Sequence, residues 1–330
     1  MRTIVIFLCL VFLFASCGNK KCKISKEVKN IPVQVNIIRL EQKLSEIKST
    51  EEALEFMKEY PDFSTYFLEK NHYPHDTILA ESIFKLANNP SADTLFREVQ
   101  QVFGSMDDLK EEFEWAFKHI KKFYPHFEEP TIYTTVTGFS SDLFVSDNMI
   151  VIGLDYFIGE SGTFRPDDLP NYILRRYSKE YIVPSVILLM SDRFNVTDFK
   201  NNTMLAEMIF YGKAYYFTKS MMPCTPDSLL IGYTSEEMVD ARANDDIIWA
   251  NFIENQLLYE TGHVMKNKFL SERPKVYEIG PKCPGRIGAW VGWEIVNQYM
   301  SKNKIALEDL MANKDVNDIF NKSKYRPQKK

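Results

Sequence analysis

Hydrophobic positions recur every three or four residues along most of this chain, which is the spacing of amphipathic helices. The clearest case lies in a charged segment that ends at Tyr124-Pro125, where the apolar residues are Leu109, Phe113, Ala116, Phe117 and Ile120. Proline disfavours helical backbone in the residue before it, so this helix is expected to stop there. The same spacing predicts helices over residues 40–59, from Asp76 to near Pro90, and over residues 168–178, 181–195, 198–221, 235–260, 286–301 and 306–321.

Residues 130–154 have a different pattern, rich in β-branched and aromatic side chains. Polar breaks at residues 140–142 and at Asp147-Asn148 favour two or three short antiparallel strands joined by tight turns. Many helices and few strands predict an α+β fold, predominantly α-helical, with a small antiparallel hairpin or sheet. Without an internal repeat or a convincing linker, residues 32–330 are expected to form a single globular domain.

The first residues depart from this amphipathic pattern. One basic residue, Arg2, precedes an apolar run from Ile4 to Ala15, which is typical of a secretory signal peptide and too short for a membrane span. The segment Phe14-Ala15-Ser16-Cys17 also resembles a bacterial lipobox. We therefore expect removal of residues 1–16 and lipidation of Cys17, which would anchor the chain in a lipid bilayer. Ordinary cleavage nearby, with Cys17 unmodified, is the alternative.

Residues 17–31 are interpreted as a lipidated basic tether, because they are rich in Lys and contain a single Glu. The tether would either lie against anionic headgroups or stay solvated. Acidic residues do not directly follow Cys17, which favours a periplasm-facing anchor over the cell surface. We expect an envelope location, with the outer membrane favoured over the inner.

Composition narrows the class of protein further. The chain has 330 residues, of which 45% are hydrophobic and 14% aromatic, so it can bury a large core. A formal net charge of −5 argues against nucleic acid as a partner. The five cysteines include no CxxC pair, and an oxidising periplasm would permit but not require pairing of Cys224 with Cys283.

Complete catalytic motifs are absent from the sequence. It contains no HExxH zinc motif, no GxSxG nucleophile elbow and no Walker or dinucleotide-binding glycine pattern. His72 and His75 flank Pro74, so they are expected in a loop and not on one helix face. We therefore expect neither a metal nor a cofactor, and an enzymatic activity is less expected than its absence.

Two segments combine apolar and ionisable residues in an unusual way. Glu207 and Tyr211 share one stripe of a predicted helix, and Arg286, Trp290 and Glu294 crowd a second helix that also carries Gly288 and Gly292. A buried carboxylate would need a basic partner or a shifted pKa. The five ionisable or aromatic residues predict either a ligand cleft or a structural ion pair that locks two helices together. The glycines predict close backbone packing, with a ligand groove as the alternative.

Several segments resemble the gliding-motility lipoprotein GldB family of Bacteroidota. The most specific is GRIGAWVGWEIV within residues 272–300, and the others are residues 151–159, 169–187, 208–217, 245–261 and 318–330. The resemblance implies an envelope lipoprotein that supports gliding and the associated type IX secretion apparatus, with other envelope proteins as partners. It implies no reaction.

A more distant likeness concerns the zincin-type peptidases. The predicted hairpin is followed by a helix and then by a helix that reads E-x-x-x-Y-G-K-A-x-Y-F from Glu207 to Phe217. In a zincin-like fold the first helix, residues 181–195, would carry metal ligands, but its residues 185–189 supply none here, so such a fold would be degenerate and lack the metal site. Two hypotheses result: a non-enzymatic component that acts by protein contact, or an envelope hydrolase with a cleft around Glu207.

Overall fold

A computed structural model of the protein describes residues 24–327. The predicted signal peptide, the predicted lipidation site Cys17 and the first part of the predicted tether lie outside the described residues. Within residues 24–327, no helix has the length and apolar character needed to cross a membrane.

Helices fill the N-terminal part of the described chain. Their bounds are Lys26–Lys29 (α1), Leu40–Glu46 (α2), Thr50–Glu59 (α3), Asp76–Ala87 (α4), Pro90–Phe103 (α5) and Asp107–Phe123 (α6). The predicted helix over residues 40–59 is divided, because the Ser49 side chain accepts from Glu52 N–H and starts α3 anew. The sequence interpretation missed α5, in which Pro90 is the first residue and Asn89 is the N-cap.

Helices also dominate the C-terminal part. Their bounds are Asn171–Leu174 (α7), Ile182–Met190 (α8), Met204–Met221 (α9), Asp227–Ile231 (α10), Ser235–Ala243 (α11), Asp245–Glu254 (α12), His263–Leu270 (α13), Ile287–Asn303 (α14), Leu307–Ala312 (α15) and Val316–Ser323 (α16). The predicted helix over residues 235–260 is two helices that meet at Asn244. Thr234 and Glu237 form a capping box at the start of α11.

Short helical turns of other kinds join these elements. One π-helical turn covers Phe63–Phe67, and 3₁₀ turns cover Lys70–His72, Leu154–Phe157, Lys179–Tyr181, Ser191–Arg193 and Leu257–Tyr259.

In the described part of the chain, four strands form one sheet: Ile37–Arg39 (β1), Thr131–Thr135 (β2), Leu143–Val145 (β3) and Met149–Gly153 (β4), in the order β1-β2-β4-β3. The hairpin of β3 and β4 is antiparallel as predicted, with Phe144 opposite Val151. The sheet is mixed rather than antiparallel, because β2 pairs in parallel with both β1 and β4. The predicted fold class, α+β and predominantly helical, is confirmed.

The sheet has a hydrophobic core on each face. Ile150 and Ile152 of β4 belong to a large core shared with α6, α8, α9 and α14. Met149 and Val151 belong to a smaller core shared with α2, α3 and α4. Burial on both faces explains why β4 is apolar at consecutive positions instead of alternating with polar residues.

Helices α9 and α14 cross at a glycine contact in the larger core. A Cβ atom added to Gly292 would lie 1.8 Å from the carbonyl oxygen of Met208, and one added to Gly212 would lie 2.3 Å from the carbonyl oxygen of Gly292. Only glycine permits this approach of the two backbones. The predicted close packing through Gly292 is confirmed, and it brings the two segments with predicted site residues together.

Candidate functional site at the crossing of two helices

Two residues at the N-terminal ends of the crossing helices α9 and α14 position the candidate site. Thr203 caps α9 by accepting from Ala206 N–H at 3.2 Å. Arg286 precedes α14 in the left-handed backbone region, with φ of 55°. This conformation costs a non-glycine residue roughly 1 kcal/mol, so contacts of the Arg286 side chain must hold it in place.

The Arg286 side chain has contacts on three sides. Its Nη1 donates to the Tyr215 hydroxyl on α9 at 3.0 Å, and its Nη2 donates to the carbonyl oxygen of Ile231. Its Nε lies 3.0 Å from Oε1 of Glu272. The guanidinium group therefore fixes the start of α14 to α9, to the end of α10 and to the loop after α13.

Further charged residues extend this arrangement. Glu272 also accepts two hydrogen bonds from Arg176, at 2.8 and 2.6 Å. Nearby, Arg175 and Lys275 bind Glu237, with N–O distances of 2.5 and 3.5 Å. We call this set the ionic network; its members are Arg175, Arg176, Glu237, Glu272, Lys275 and Arg286.

The network changes the pKa of both of its carboxylates. Burial alone would raise the pKa of Glu272, but the hydrogen bond from Arg176 and the charges of Arg286 and Arg176 hold it below its ordinary value. At Glu237, burial also acts to raise the pKa, but the hydrogen bonds from Thr234 N–H and Arg175 outweigh burial and lower the pKa. Both carboxylates are thus stabilised in the charged form.

Glu207 lies outside the ionic network. Its carboxylate accepts a hydrogen bond from Nζ of Lys266 on α13, which also donates to the carbonyl oxygen of Asn202 at 2.7 Å. Lys266 is buried, whereas the Glu207 side chain is 42% exposed. Glu207 therefore compensates a buried cation at the edge of α9.

Tyr211 lies between Glu207 and the ionic network. Burial raises the pKa of its hydroxyl, and Tyr215 and Glu207 raise it further while Arg286 lowers it. The residue still exposes 38% of its surface. Among the predicted cleft residues, it is the one influenced by both Glu207 and Arg286.

Trp290 and Glu294 lie further along α14. Trp290 is buried and its indole N–H has no hydrogen-bond partner. Burial, reinforced by the charge of Asp245, raises the pKa of Glu294 to about 7. Glu294 is eight positions beyond Arg286, about 12 Å along the helix, so it belongs to a different environment.

No hydrogen bond or ion pair joins any two of the five residues Glu207, Tyr211, Arg286, Trp290 and Glu294, all of which are described. Glu207 and Arg286 have separate partners because Tyr215, which binds Arg286, is two helical turns from Glu207 on α9. That these residues form a ligand cleft stays a prediction.

Several buried polar residues, only some of them on the crossing helices, were missed in the sequence interpretation. Lys213 is buried on α9 and donates to the carbonyl oxygens of Val196, Met311 and Asn313 at 2.9, 3.1 and 2.9 Å. Burial lowers its pKa to about 8. An isolated Lys in an apolar helix was the available signal, but its partners are carbonyl groups that sequence does not reveal.

Asp155 is a second missed residue, at the end of the sheet. It is buried and accepts from the N–H groups of Thr137 and Phe139 at 3.1 and 2.8 Å, and burial raises its pKa. It holds the turn after β2. Its position within the segment of residues 151–159 was the only signal in the sequence.

Metal binding and cysteine reactivity are two further chemical properties of residues 24–327. In this range no group of three or more His, Cys, Asp and Glu residues is placed to hold a metal ion. Cys283 is a free buried thiol whose pKa burial raises to about 12. Cys224 is disulfide-bonded, so the pair of Cys224 and Cys283 that the sequence permitted is not formed.

The protein is a predominantly helical α+β protein whose central helices are joined by hydrogen bonds and ion pairs. A comparison of the sequence with protein families finds a match over residues 21–327 to the family of gliding motility protein GldB. Because the match covers nearly the whole chain, the protein belongs to this family of envelope lipoproteins associated with gliding motility. No curated protein and no solved structure matches the chain.

Proposed function

We propose that this protein is a membrane-anchored, non-enzymatic component that supports gliding motility and the associated type IX secretion apparatus through protein–protein contacts. The observation that carries the proposal is membership of the gliding motility protein GldB family over residues 21–327. The charged residues at the helix crossing support it too, since Arg286 and Glu207 serve as partners of other side chains.

The anchor in this proposal is the lipid on Cys17. Removal of residues 1–16 leaves this cysteine at the new N-terminus, where acylation attaches it to the membrane. Each buried methylene contributes about 0.8 kcal/mol, so several acyl chains hold the protein firmly. The body then faces the periplasm, in reach of other envelope proteins.

An exposed apolar surface is suited to such contacts. Phe199, Tyr259 and Val264 have exposed fractions of 90%, 70% and 77%. Their segments are joined by hydrogen bonds, because Met204 N–H donates to the carbonyl oxygen of Glu260 and Lys266 donates to that of Asn202. We call these three residues the apolar surface and propose that they contact an envelope partner, since aromatic side chains are enriched at protein interfaces.

The proposal is tested in a strain that lacks the gene. Colony spreading and export of type IX cargo should both fall, and the wild-type gene should restore them. Cys17→Ala should release the protein from membrane fractions and reduce both activities. Affinity capture of the anchored protein should recover motility or secretion proteins. A deletion strain with normal spreading and normal cargo export would contradict the proposal.

A further inference from the structure

The adjoining ends of α14 and α16 form a surface rich in basic side chains. The two helices end at Asn303 and Ser323. Nζ of Lys302 joins these ends, since it donates to the carbonyl oxygens of Ser323 and Lys324 at 2.8 and 3.3 Å. We call this surface the basic patch; its members, all of them exposed, are Lys302, Lys304, Lys322, Lys324 and Arg326.

Three members of the basic patch have no acidic partner. Lys322 pairs with Asp318 at 2.6 Å, so its charge is compensated. Lys304, Lys324 and Arg326, in contrast, form no ion pair within residues 24–327. Their charges are therefore available to an anionic partner.

The backbone at two of these residues points to a use for their side chains. Lys304 follows α14 and Lys324 follows α16, and both lie in the left-handed region with φ of 50° and 47°. Glycine usually takes this conformation at the end of a helix, because a side chain there carries a conformational cost. The helix ends themselves do not need a lysine at either position, so a role for the side chains outside the helices accounts for both.

Charge and the lack of apolar side chains identify the partner. Within the part of the chain that the structure describes, the large apolar side chains that are exposed all lie before residue 278. Protein interfaces have an apolar, aromatic-rich centre and few lysines, whereas anionic phospholipid headgroups attract clusters of Lys and Arg by charge alone. We propose that the basic patch docks on the anionic headgroups of the membrane in which the protein is anchored.

The strength of this contact suits an anchored protein. This inference rests on the membrane location in the proposed function and is independent of any role in gliding. A basic residue near an anionic surface strengthens binding about fivefold, so the three unpaired residues together contribute on the order of 100-fold. The lipid anchor already keeps the body at the bilayer, so this attraction sets which side of the body faces the headgroups.

Charge elsewhere in the molecule supports the same orientation. Residues 40–87, which include α2, α3 and α4, contain ten acidic residues and five basic ones. They form the smaller core, on the opposite face of the sheet from the larger core that includes α14 and α16. Anionic headgroups attract the basic patch and repel residues 40–87, so the ends of α14 and α16 turn toward the bilayer.

The basic patch is separate from the ionic network. Arg286 directly precedes α14 and Lys304 directly follows it, so about 25 Å of helix lies between them. Substitutions in the basic patch should therefore leave the ionic network and the crossing of α9 and α14 intact, which allows the proposal to be tested on folded protein.

Acetylation of lysine amines on the full-length protein isolated from its envelope tests the proposal. The protein is placed in nanodiscs of phosphatidylcholine alone, or of phosphatidylcholine and phosphatidylglycerol in equal parts, and mass spectrometry gives the rate at each lysine. In the anionic discs Lys304 and Lys324 should react at least about threefold more slowly, because the headgroups cover them. The exposed Lys43 and Lys85 should react equally fast in both discs. The mass of the N-terminal peptide reports lipidation separately.

Two triple variants make the test specific. The patch variant combines Lys304→Gln, Lys324→Gln and Arg326→Gln. The matched control makes the same change in net charge at exposed positions, and combines Lys43→Gln, Lys48→Gln and Lys85→Gln. Slower acetylation of Lys302 and Lys322 in the anionic discs should persist in the control and disappear in the patch variant. It should also disappear for the wild type in 1 M salt, where the Debye length is about 3 Å.

Equal rates at the basic patch in the two kinds of disc would overturn the proposal, as would slowing that persists in the patch variant. If the patch variant impairs colony spreading while the wild-type rates are equal in the two discs, the basic patch binds an acidic protein instead, and docking on the membrane is wrong.

Discussion

Charged side chains at the centre of this molecule have partners from distant parts of the chain. Arg286 binds Tyr215 across 71 positions, and Lys213 binds the carbonyl group of Met311 across 98 positions. Such contacts replace water around buried charges, which would otherwise oppose folding. The sequence analysis identified Arg286 as an ionisable residue in an apolar helix. It could not predict the partners Tyr215 and Glu272, because the spacing of apolar residues carries no information on contacts between distant segments.

Replacement of Lys213 by Met should lower the free energy of unfolding by about 2–4 kcal/mol, because carbonyl groups of Val196, Met311 and Asn313 lose their donor. Urea denaturation measures this difference. The exposed residue Lys200 is the control, and Lys200→Met should change stability by less than about 0.5 kcal/mol. Equal effects of the two substitutions would contradict the role given to Lys213.

Glu294 should make stability depend on pH. Burial and the charge of Asp245 raise its pKa from an ordinary value of 4.5 to about 7. The folded state thus favours the protonated form, so its contribution is fully present below pH 4.5 and is lost as pH rises through 7. Glu294→Gln cannot ionise and should be more stable than the wild type at pH 8 by about 1–2 kcal/mol.

Urea denaturation of the wild type and Glu294→Gln at pH 4 and pH 8 measures the effect. The exposed Glu254, changed to Gln, is the control and should track the wild type at both values. A stability difference between Glu294→Gln and the wild type that is the same at pH 4 and pH 8 would show that Glu294 does not titrate as described.

At the scale of elements, the close crossing of α9 and α14 positions the ionic network. Periodicity predicted both helices, and Gly292 in the sequence predicted close packing. The ends of several other helices were not predicted, because local side-chain caps decide them. Ser49 starts α3 where the apolar spacing suggested continuity, and Asn89 starts α5 where it suggested a break.

Gly292→Ala should destabilise the protein by about 3 kcal/mol or more, because the new methyl group would lie 1.8 Å from the carbonyl oxygen of Met208. Thermal or urea denaturation measures the loss. Gly280→Ala is the matched control, since a Cβ there meets nothing within 4 Å. If the two variants prove equally stable, the helices do not cross as described.

At the scale of the whole molecule, the sheet separates two cores and the ionic network joins segments far apart in the chain. Sequence predicted the fold class and the hairpin of β3 and β4, because both follow from local patterns. It did not predict β1 or the parallel pairing of β2, since these bring together strands from distant parts of the chain. For the same reason, it identified Arg286 but not Glu272 and Arg176.

The ionic network should weaken in acid. The pKa of Glu272 is held below its ordinary value of 4.5, so its stabilising contribution is present above that pH and is lost as pH falls through the lowered value. Glu272→Gln should cost about 1–2 kcal/mol at pH 7, an amount limited by solvent screening at this partly exposed side chain.

The cost of Glu272→Gln should shrink when urea denaturation is repeated at pH values that fall progressively below 4.5, because the wild-type carboxylate is neutralised as pH falls through its lowered pKa. Glu254→Gln, at an exposed position, again serves as the control. An undiminished difference between Glu272→Gln and the wild type in acid would mean that the ion pairs with Arg176 and Arg286 contribute nothing to stability.

The central claim is that the protein acts by contact and not by catalysis. Colony spreading of the deletion strain, complemented with either of two variants, tests it most directly. Glu207→Gln removes the charge that compensates Lys266 but keeps an oxygen acceptor for it, so this variant should restore spreading fully when its protein level matches the wild type. Replacement of Phe199, Tyr259 and Val264 by Ser removes the apolar surface without touching the core and should fail to restore it, at wild-type protein levels. Full spreading with the surface variant and none with Glu207→Gln would contradict the account and favour a hydrolase.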